Sequence, residues 1–184
     1  MRKTSLPLRA PTKTVPPVAA VRGVVVLATV GVAFGITAVR GVALVGAPRV
    51  ATGMAVVGPR GVIGRTTSVT RHTATVLFAI DPRSAIGGIN SRSRDLVIAE
   101  GIGDGSGLLR VRPIGAECDI VEGDVIVTSG MGGVYPKGHV VADVIRVEQD
   151  KYGVSTTAVA RPRVDFQHLE EVLVLIDPAR GAAR

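Results

Sequence analysis

The sequence predicts an all-β fold, in which two small β-barrel-like units follow a basic, proline-rich N-terminal tail. The 184 residues are 46% hydrophobic but only 3% aromatic, so the core must consist of Val, Ile, Leu and Ala. The 23 glycines and 11 prolines require many turns. Short apolar segments recur between Gly, Pro, Asp or Asn residues, and no helical period persists for ten residues. This pattern is typical of a sandwich or barrel and excludes disorder of the whole chain.

The N-terminal part contains two kinds of segment. Residues 1–22 mix five basic residues with four prolines and show no periodicity, which predicts a disordered basic tail. Residues 23–39 carry no charge and are just long enough to form a membrane helix. Their six valines, three glycines and two threonines favour two buried strands instead, at residues 24–29 and 35–39. Both interpretations stay open at this point.

The rest of the chain reads as repeated strand and turn. We expect a first β subdomain over residues 23–84, a second over residues 85–178 and a short tail at 179–184, with the polar stretch NSRSRD at 90–95 as the connector. One helical turn is expected at residues 165–171, where Asp165 could cap the first amides. The predicted strands after residue 40 are VALVG (42–46), MAVVG (54–58), GVIGRTTSV (61–69), TATVLFAI (73–80), LVIAEG (96–101), LLRVRPI (108–114), DVIVTSG (124–130), HVVADVIRVEQ (139–149), VSTTAV (154–159) and VLVLI (172–176).

The charges are distributed unevenly along the chain. Residues 1–80 carry ten Lys or Arg and no acid, whereas residues 81–184 carry twelve basic and fifteen acidic residues. A basic half suggests attraction to phosphate, in lipid or nucleic acid. A basic small barrel that binds nucleic acid is therefore the alternative function. Such barrels need stacking aromatic side chains, and the five aromatic residues of this chain are isolated from one another: Phe34, Phe78, Tyr135, Tyr152 and Phe166.

Cysteine and histidine usage excludes two classes of site. A single cysteine, Cys118, cannot form an internal disulfide. His72, His139 and His168 lie far apart and do not provide the ligand spacing of a zinc site. We therefore expect no metal and no cofactor.

Two glycine-containing segments resemble ligand loops but do not fit them. Residues 58–67 lack the glycine spacing and the lysine of a phosphate loop, and a β-hairpin turn at Gly58, Pro59, Arg60 and Gly61 explains them better. Residues 101–107, GIGDGSG, lie between two strands instead of opening a helix, so they read as a flexible loop.

The sequence also lacks an arrangement of catalytic residues. Ser106 and Ser129 are flanked by glycine but lie outside a GxSxG motif, and no Ser, His and Asp set stands out. Asp81 and Asp124 follow or precede strands, where a carboxylate accepts hydrogen bonds from the amides of a turn. We therefore predict that the protein is not an enzyme.

Short strands alternate with turn residues in two longer segments, GMAVVGPRGVIGRTTSVTRHTATVLFAIDPRSAIGG at 53–88 and EGDVIVTSGMGGVYPKG at 122–138. These segments, together with residues 140–175, resemble the β domain of the bacterial rod-shape-determining MreC family. In the second segment a Gly-Asp pair, a strand, Thr-Ser-Gly and a glycine loop follow one another, and several loop glycines are expected at positive φ. The residues expected to shape the fold are Gly53, Gly61, Gly64, Asp81, Gly123, Asp124, Thr128, Ser129, Gly130, Gly133, Pro136 and Gly138.

The resemblance implies a non-enzymatic scaffold of the cell-elongation and peptidoglycan-synthesis machinery, on the extracytoplasmic face of the cytoplasmic membrane. The implied partners are the cell-wall transpeptidase, MreB and MreD, and self-association is a further expectation, with no small-molecule substrate. The family places a membrane helix and a coiled coil before this domain. No heptad region is present here, so coiled-coil dimerisation is not carried over, and membrane attachment depends on residues 23–39.

Overall fold

The described residues of the protein form twelve β-strands. The computed structural model describes residues 23–27, 38–40, 50–70, 73–115, 118–149, 156–169 and 171–176, and these contain no helix. The predicted all-β class is confirmed. The strands are β1 Gly23–Leu27, β2 Ala38–Arg40, β3 Ala55–Gly58, β4 Gly61–Val69, β5 Ala74–Phe78, β6 Ala85–Asn90, β7 Leu96–Gly101, β8 Leu109–Pro113, β9 Val125–Thr128, β10 Val140–Gln149, β11 Thr156–Pro162 and β12 Glu171–Leu175.

The strands form a sheet and a barrel. The described part of the first unit is a six-stranded sheet of order β1-β12-β3-β4-β5-β2, and the second unit is a closed barrel of order β10-β11-β8-β7-β6-β9. Neighbouring strands pair antiparallel throughout. Closure leaves the barrel without an edge strand, whereas the sheet has β1 and β2 at its edges.

The last strand belongs to the first sheet and not to the barrel. The predicted division assigned residues 85–178 to the second unit, but β12 inserts between β1 and β3, with Leu173 opposite Val57 and Val174 opposite Val56. Val174 is buried in the cluster on one face of the sheet and Leu175 in the cluster on the other. A strand with two apolar faces needs buried side chains packed on each face, and the first sheet has a buried cluster on either side at this position.

The prediction that residues 90–95 connect the two units is also wrong, because this stretch joins two strands of the barrel, β6 and β7. Asn90 ends β6 and is fully buried, and residues 91–95 turn directly into β7. The paired glycines of β6 interrupted the apolar alternation and hid this strand. The interior has no room for a side chain at Gly88, since a Cβ there would lie 2.7 Å from the Cγ2 of Ile126.

Several predictions concern the two ends of the chain, which the structure describes only in part. β1 pairs with β12 and β2 pairs with β5, while residues 1–22, 28–37, 41–49 and 177–184, including the predicted strand at 42–46, lie outside the described residues. Within the described ranges, no helix has the length and apolar character required to cross a bilayer.

One core extends from the sheet into the barrel. Side chains on the inner face of the sheet and in the barrel interior form a single buried cluster, which includes Ala55, Val57, Val62, Ala79, Ile86, Val97, Ala99, Leu109, Val111 and Ile126. The opposite face of the sheet carries a second cluster, in which Phe78 packs against Phe166 with ring centroids 5.2 Å apart. The predicted burial of Phe78 is confirmed. Because the sheet and the barrel share buried side chains, we expect them to unfold together.

The segment between β11 and β12 covers this second cluster without forming the predicted helical turn. The Asp165 carboxylate does accept a hydrogen bond from the backbone N–H of Gln167 at 2.9 Å, but residues 163–169 bend without helical pairing. Val164 and Phe166 turn inward onto the sheet, so their packing sets the path of the chain.

Glycines allow the sheet and the barrel to approach closely. A Cβ on Gly61 would lie 2.4 Å from the carbonyl oxygen of Val140, and one on Gly101 would lie 2.2 Å from that of Ile80. No other residue type fits at these contacts without moving the backbone.

Candidate interaction surface

Three side chains with nucleophilic atoms, Cys118, Ser106 and Ser129, have structural surroundings in the described part of the chain. Burial raises the pKa of the Cys118 thiol to about 11, so the thiol is protonated at neutral pH and is a poor nucleophile. The Oγ of Ser129 donates to the carbonyl of Gly87 at 2.9 Å, and the Oγ of Ser106 accepts from the N–H of Leu108 at 3.2 Å. Both serines are therefore held by the backbone. The described residues contain no cluster of three or more His, Cys, Asp or Glu side chains that could hold a metal ion.

The two histidines that the structure describes, His139 and His168, make separate contacts. The Nδ1 of His168 lies 2.8 Å from the Oδ2 of Asp165 on the surface. His139 is half-buried, and burial lowers the pKa of its imidazole. His72 lies outside the described residues.

The loop between β9 and β10 holds much of the predicted glycine pattern. Positive φ values occur at Gly130, Gly132, Gly133 and Gly138, which confirms the expectation for this loop. The hydroxyl of Thr128 closes the loop, because it donates to the carbonyl of Pro136 and accepts from the N–H of His139. Tyr135 is buried in the shared core, and burial raises its pKa to about 12.

Asp124 is a buried carboxylate directly before β9 of the barrel. Its carboxylate accepts from the Arg92 guanidinium at 2.7 and 2.9 Å, from the Asn90 amide at 2.7 Å and from the N–H of Val121 at 2.9 Å. Arg92 also binds the exposed Asp119. These hydrogen bonds, chiefly those from Arg92, lower the pKa of Asp124 to about 2. Sequence reasoning placed Asp124 in a turn but missed its pairing with Arg92, which is 32 residues away.

Asp81 occupies the crossing from the sheet to the barrel. Its side chain is fully buried and accepts from the N–H of Arg83 at 2.8 Å, which confirms the predicted turn. The guanidinium of Arg83 closes on the same carboxylate at 3.0 and 2.8 Å.

The remaining predicted glycines lie in turns or strands of the scaffold. Gly58 pairs with Gly61 around the predicted hairpin turn. Gly53 has a φ of 78° and donates to the carbonyl of Thr66, and Gly123 has a φ of 89° and donates to that of Val144. Gly64 lies in β4 so close to β5 that a Cβ would overlap the carbonyl of Leu77.

A groove opens where the barrel meets the segment that returns to the sheet. We call it the loop groove. It has a volume of about 590 Å³ and runs between the glycine-rich loop at residues 103–108 and residues 161–167. Ile80, Val164 and Phe166 line its apolar part, and Arg161 contributes a guanidinium. Concave sites of this size, with apolar walls and a few polar groups, are typical binding sites.

A second surface, which we call the aliphatic strip, lies on the outside of the barrel. The strand register aligns Val127, Ile89 and Leu96 across β9, β6 and β7, and the N–H of Ile114 donates to the carbonyl of Leu96. Leu96 is 38% exposed and Ile114 is 51% exposed. Val127 is partly exposed and Ile89 is buried, so Leu96 and Ile114 provide the exposed part of this strip. Adjacent exposed apolar side chains of this kind are typical of surfaces that contact other proteins.

Comparison with known proteins supports this description. Residues 46–176 match the family described as "Rod shape-determining protein MreC, barrel core". The cell shape-determining protein MreC of Escherichia coli is 36% identical over 128 residues, which cover 70% of this chain and 35% of the relative. The MreC of Listeria monocytogenes is 32% identical over 124 residues, which cover 66% of this chain and 42% of the relative. The chain therefore spans between a third and a half of the length of these relatives.

Solved structures show the same architecture. The crystal structure of MreC from Pseudomonas aeruginosa has a TM-score of 0.73 at 26% identity, and the alignment covers 84% of this chain and 99% of that one. A complex between penicillin-binding protein PBP2 and MreC from Helicobacter pylori contains a chain with a TM-score of 0.64 at 19% identity, aligned over 83% of this chain and 95% of that one. At this lower identity the likeness concerns the fold alone.

Proposed function

Because this chain belongs to the MreC family of rod-shape-determining proteins, we propose that it is a non-enzymatic scaffold of the cell-elongation and peptidoglycan-synthesis machinery that maintains cell shape. The match over the barrel core is the observation that carries this proposal. The chemistry of the described residues supports it, since the serines and carboxylates singled out from the sequence make structural contacts. In this proposal the predicted turn residues shape a binding scaffold and perform no chemistry.

A cell-wall transpeptidase is the partner we propose first. The relative from Helicobacter pylori forms a complex with such a penicillin-binding protein. The aliphatic strip and the loop groove are two surfaces on which a protein partner can dock. MreB, MreD and self-association remain predictions from the family resemblance.

We also propose that the barrel lies on the extracytoplasmic face of the cytoplasmic membrane, where peptidoglycan is made. The basic residues 1–22 would then stay in the cytoplasm if residues 23–39 cross the membrane. The strands at the two ends of that segment favour the other arrangement, in which residues 23–39 belong to the sheet.

The alternative, a barrel that binds nucleic acid, is not supported. Such barrels stack bases on exposed aromatic rings. Of the aromatic residues described, Phe78 and Tyr135 are buried and Phe166 packs on Phe78, so these rings provide no exposed stacking platform.

A binding measurement tests the proposed function. We expect the purified full chain to bind the extracytoplasmic domain of the elongation transpeptidase in calorimetry, and not an unrelated β-lactam-binding hydrolase used as the control. The proposal would be contradicted if the chain showed no binding to the transpeptidase but bound nucleic-acid resin with an affinity that falls as salt is added.

A further inference from the structure

We propose that His139 makes the loop between β9 and β10 acid-sensitive, so that uptake of a proton by its imidazole opens this loop and loosens the contact between the barrel and the sheet. The proposal goes beyond the proposed scaffold function and does not depend on it. It follows from a buried ring nitrogen, from contacting segments that contain no acidic residue, and from a loop that also carries Tyr135 of the shared core.

The Nε2 atom of His139 lies in a position that disfavours the charged form of the ring. Within the described part of the chain this atom is buried and has no hydrogen-bond partner. A neutral imidazole has one N–H group, whereas an imidazolium has an N–H group on both nitrogens and needs an acceptor for each. Protonation in the closed loop would therefore leave a charged N–H group buried without an acceptor, which is unfavourable.

The segments that contact the start of β10 supply no negative charge. β9 pairs with β10, and β4 approaches β10 closely at Gly61, which lies against the carbonyl of Val140. Neither these two strands nor residues 129–139 of the loop contain an Asp or Glu. The charged residues of these segments, with the turn before β4, are Arg60, Arg65 and Lys137. These segments therefore offer a protonated His139 cations and no carboxylate, which disfavours its charge further.

The backbone of His139 is held by the end of β9. Its N–H donates to the hydroxyl of Thr128 at 2.9 Å, and its carbonyl accepts from the N–H of Thr128 at 2.8 Å. The N–H of Gly138 donates to the carbonyl of Thr128 at 2.9 Å. Residues 131–133 and 137–138 of the loop are exposed, so these three hydrogen bonds hold a segment that has few buried side chains. We expect the ring to reach water when they break, which is a local opening of the loop.

Opening of the loop affects the contact between the barrel and the sheet through Tyr135. This residue lies in the same loop, four positions before His139, and is buried in the cluster that also contains Ala55 and Val57 of β3. Withdrawal of its ring would remove a large apolar side chain from the core that the sheet and the barrel share. Acid would therefore weaken the contact between the two units as well as the loop.

The direction of the pH effect follows from the burial of the ring. Burial lowers the pKa of the His139 imidazole below its ordinary value of 6.5. The buried carboxylate at the crossing from the sheet to the barrel, Asp81, is bound by Arg83 at 2.8 Å. A histidine with a lowered pKa in the folded state contributes stability that is fully present above the unfolded value and is lost as the pH falls toward the folded value. The effect therefore begins below about pH 6.5, well above the range in which Asp124 loses its charge.

Amide hydrogen exchange of the full chain, followed by NMR, tests the proposal. We expect the protection of the Thr128 and Gly138 N–H groups, corrected for the intrinsic exchange rate, to fall about fivefold between pH 7 and pH 5, in step with the titration of the His139 ring. His139→Gln should abolish this change, because glutamine does not titrate. His168→Gln is the matched control: the His168 side chain is 77% exposed and contacts Asp165 at the surface, so this variant should keep the fivefold change.

Three outcomes would overturn the proposal. An equal pH dependence in wild type and His139→Gln would show that another group opens the loop. Unchanged protection of Thr128 and Gly138 in the wild type, whether or not His139 titrates, would show that the loop stays closed. Exchange of these two groups no faster at pH 5 than that of the buried Val144 N–H, which donates to the carbonyl of Asp124, would show that the whole barrel unfolds instead. Wild-type measurements alone decide the last two outcomes, so the test holds even if His139→Gln does not fold. No partner takes part in these measurements, so a negative result leaves the proposed scaffold function unaffected.

Discussion

Replacement of Asp124 by asparagine should strongly destabilise the barrel. Asparagine has nearly the same shape as aspartate but keeps one acceptor oxygen and turns an NH₂ group toward the donors that surround the carboxylate. Two of the four hydrogen bonds to Asp124 come from the Arg92 guanidinium, at 2.7 and 2.9 Å, and charge-assisted bonds of this kind are worth about 1.5–3 kcal/mol each. Arg92 is 44% exposed and also binds Asp119, so part of this loss is recovered. We expect a net loss of about 2 kcal/mol.

The pKa of Asp124 gives a second route to the same magnitude. Hydrogen bonds from Arg92 hold this pKa at about 2, below the ordinary value of 3.8. A carboxylate with a lowered pKa in the folded state contributes stability that is fully present above the unfolded value and is lost as the pH falls through the folded value. The difference of nearly two pH units corresponds to about 2 kcal/mol, lost between about pH 4 and pH 2. Both figures describe the same contacts, because the hydrogen bonds from Arg92 are the main cause of the lowered pKa.

Urea denaturation across this pH range measures both effects. The free energy of unfolding of wild type minus that of Asp124→Asn should be about 2 kcal/mol at pH 7 and should shrink toward zero near pH 2. Asp119→Asn is the matched control: it removes a carboxylate from the same arginine, but Asp119 is 65% exposed, so the loss of stability should be much smaller than for Asp124→Asn. Equal losses in the two variants, or a pH-independent difference, would refute the reasoning.

Four further outcomes are expected. Gly101→Ala should lower the melting temperature by roughly 4–8 °C, because its Cβ would lie 2.2 Å from a backbone carbonyl oxygen. Gly87→Ala is the control and should change the melting temperature much less, because the nearest atom to its Cβ would be a side-chain hydroxyl oxygen at 3.2 Å. Gly133→Val should lower it as well, since Gly133 has a φ of 64°, and an unchanged value would show that the loop tolerates a β-carbon. Ser129→Ala should reduce stability through its lost hydrogen bond and affect no chemical rate, so an activity lost at unchanged stability would contradict the scaffold function. Residues 41–184 alone should aggregate in sedimentation if β1 and β2 complete the sheet, whereas a soluble, cooperatively folded fragment would favour a membrane helix.

The sequence alone determined the features that depend on neighbouring residues. The all-β class followed from short apolar segments between turn residues, and the hairpin turn at Gly58 and Gly61 and the positive φ values in the β9–β10 loop followed from glycine placement. The carboxylate of Asp81 accepts from an amide two residues away, as its position before a proline predicted. These features are accessible from sequence because backbone preferences and turn hydrogen bonds act over two to four residues.

Only the tertiary structure decided which distant segments meet. β12 has two apolar faces and could satisfy its backbone in either unit, so its place in the sheet depends on pairing with Val56 and Val57 more than a hundred residues earlier. The glycines of β6 do not predict a strand from sequence, and β6 is a strand because the barrel interior has no room for a side chain at Gly88. The contacts of Arg92 with Asp124 and of Arg163 with Asp143 depend on which carboxylate each guanidinium reaches in the folded chain. Long-range pairing and burial fix these choices, and the local sequence is compatible with several of them.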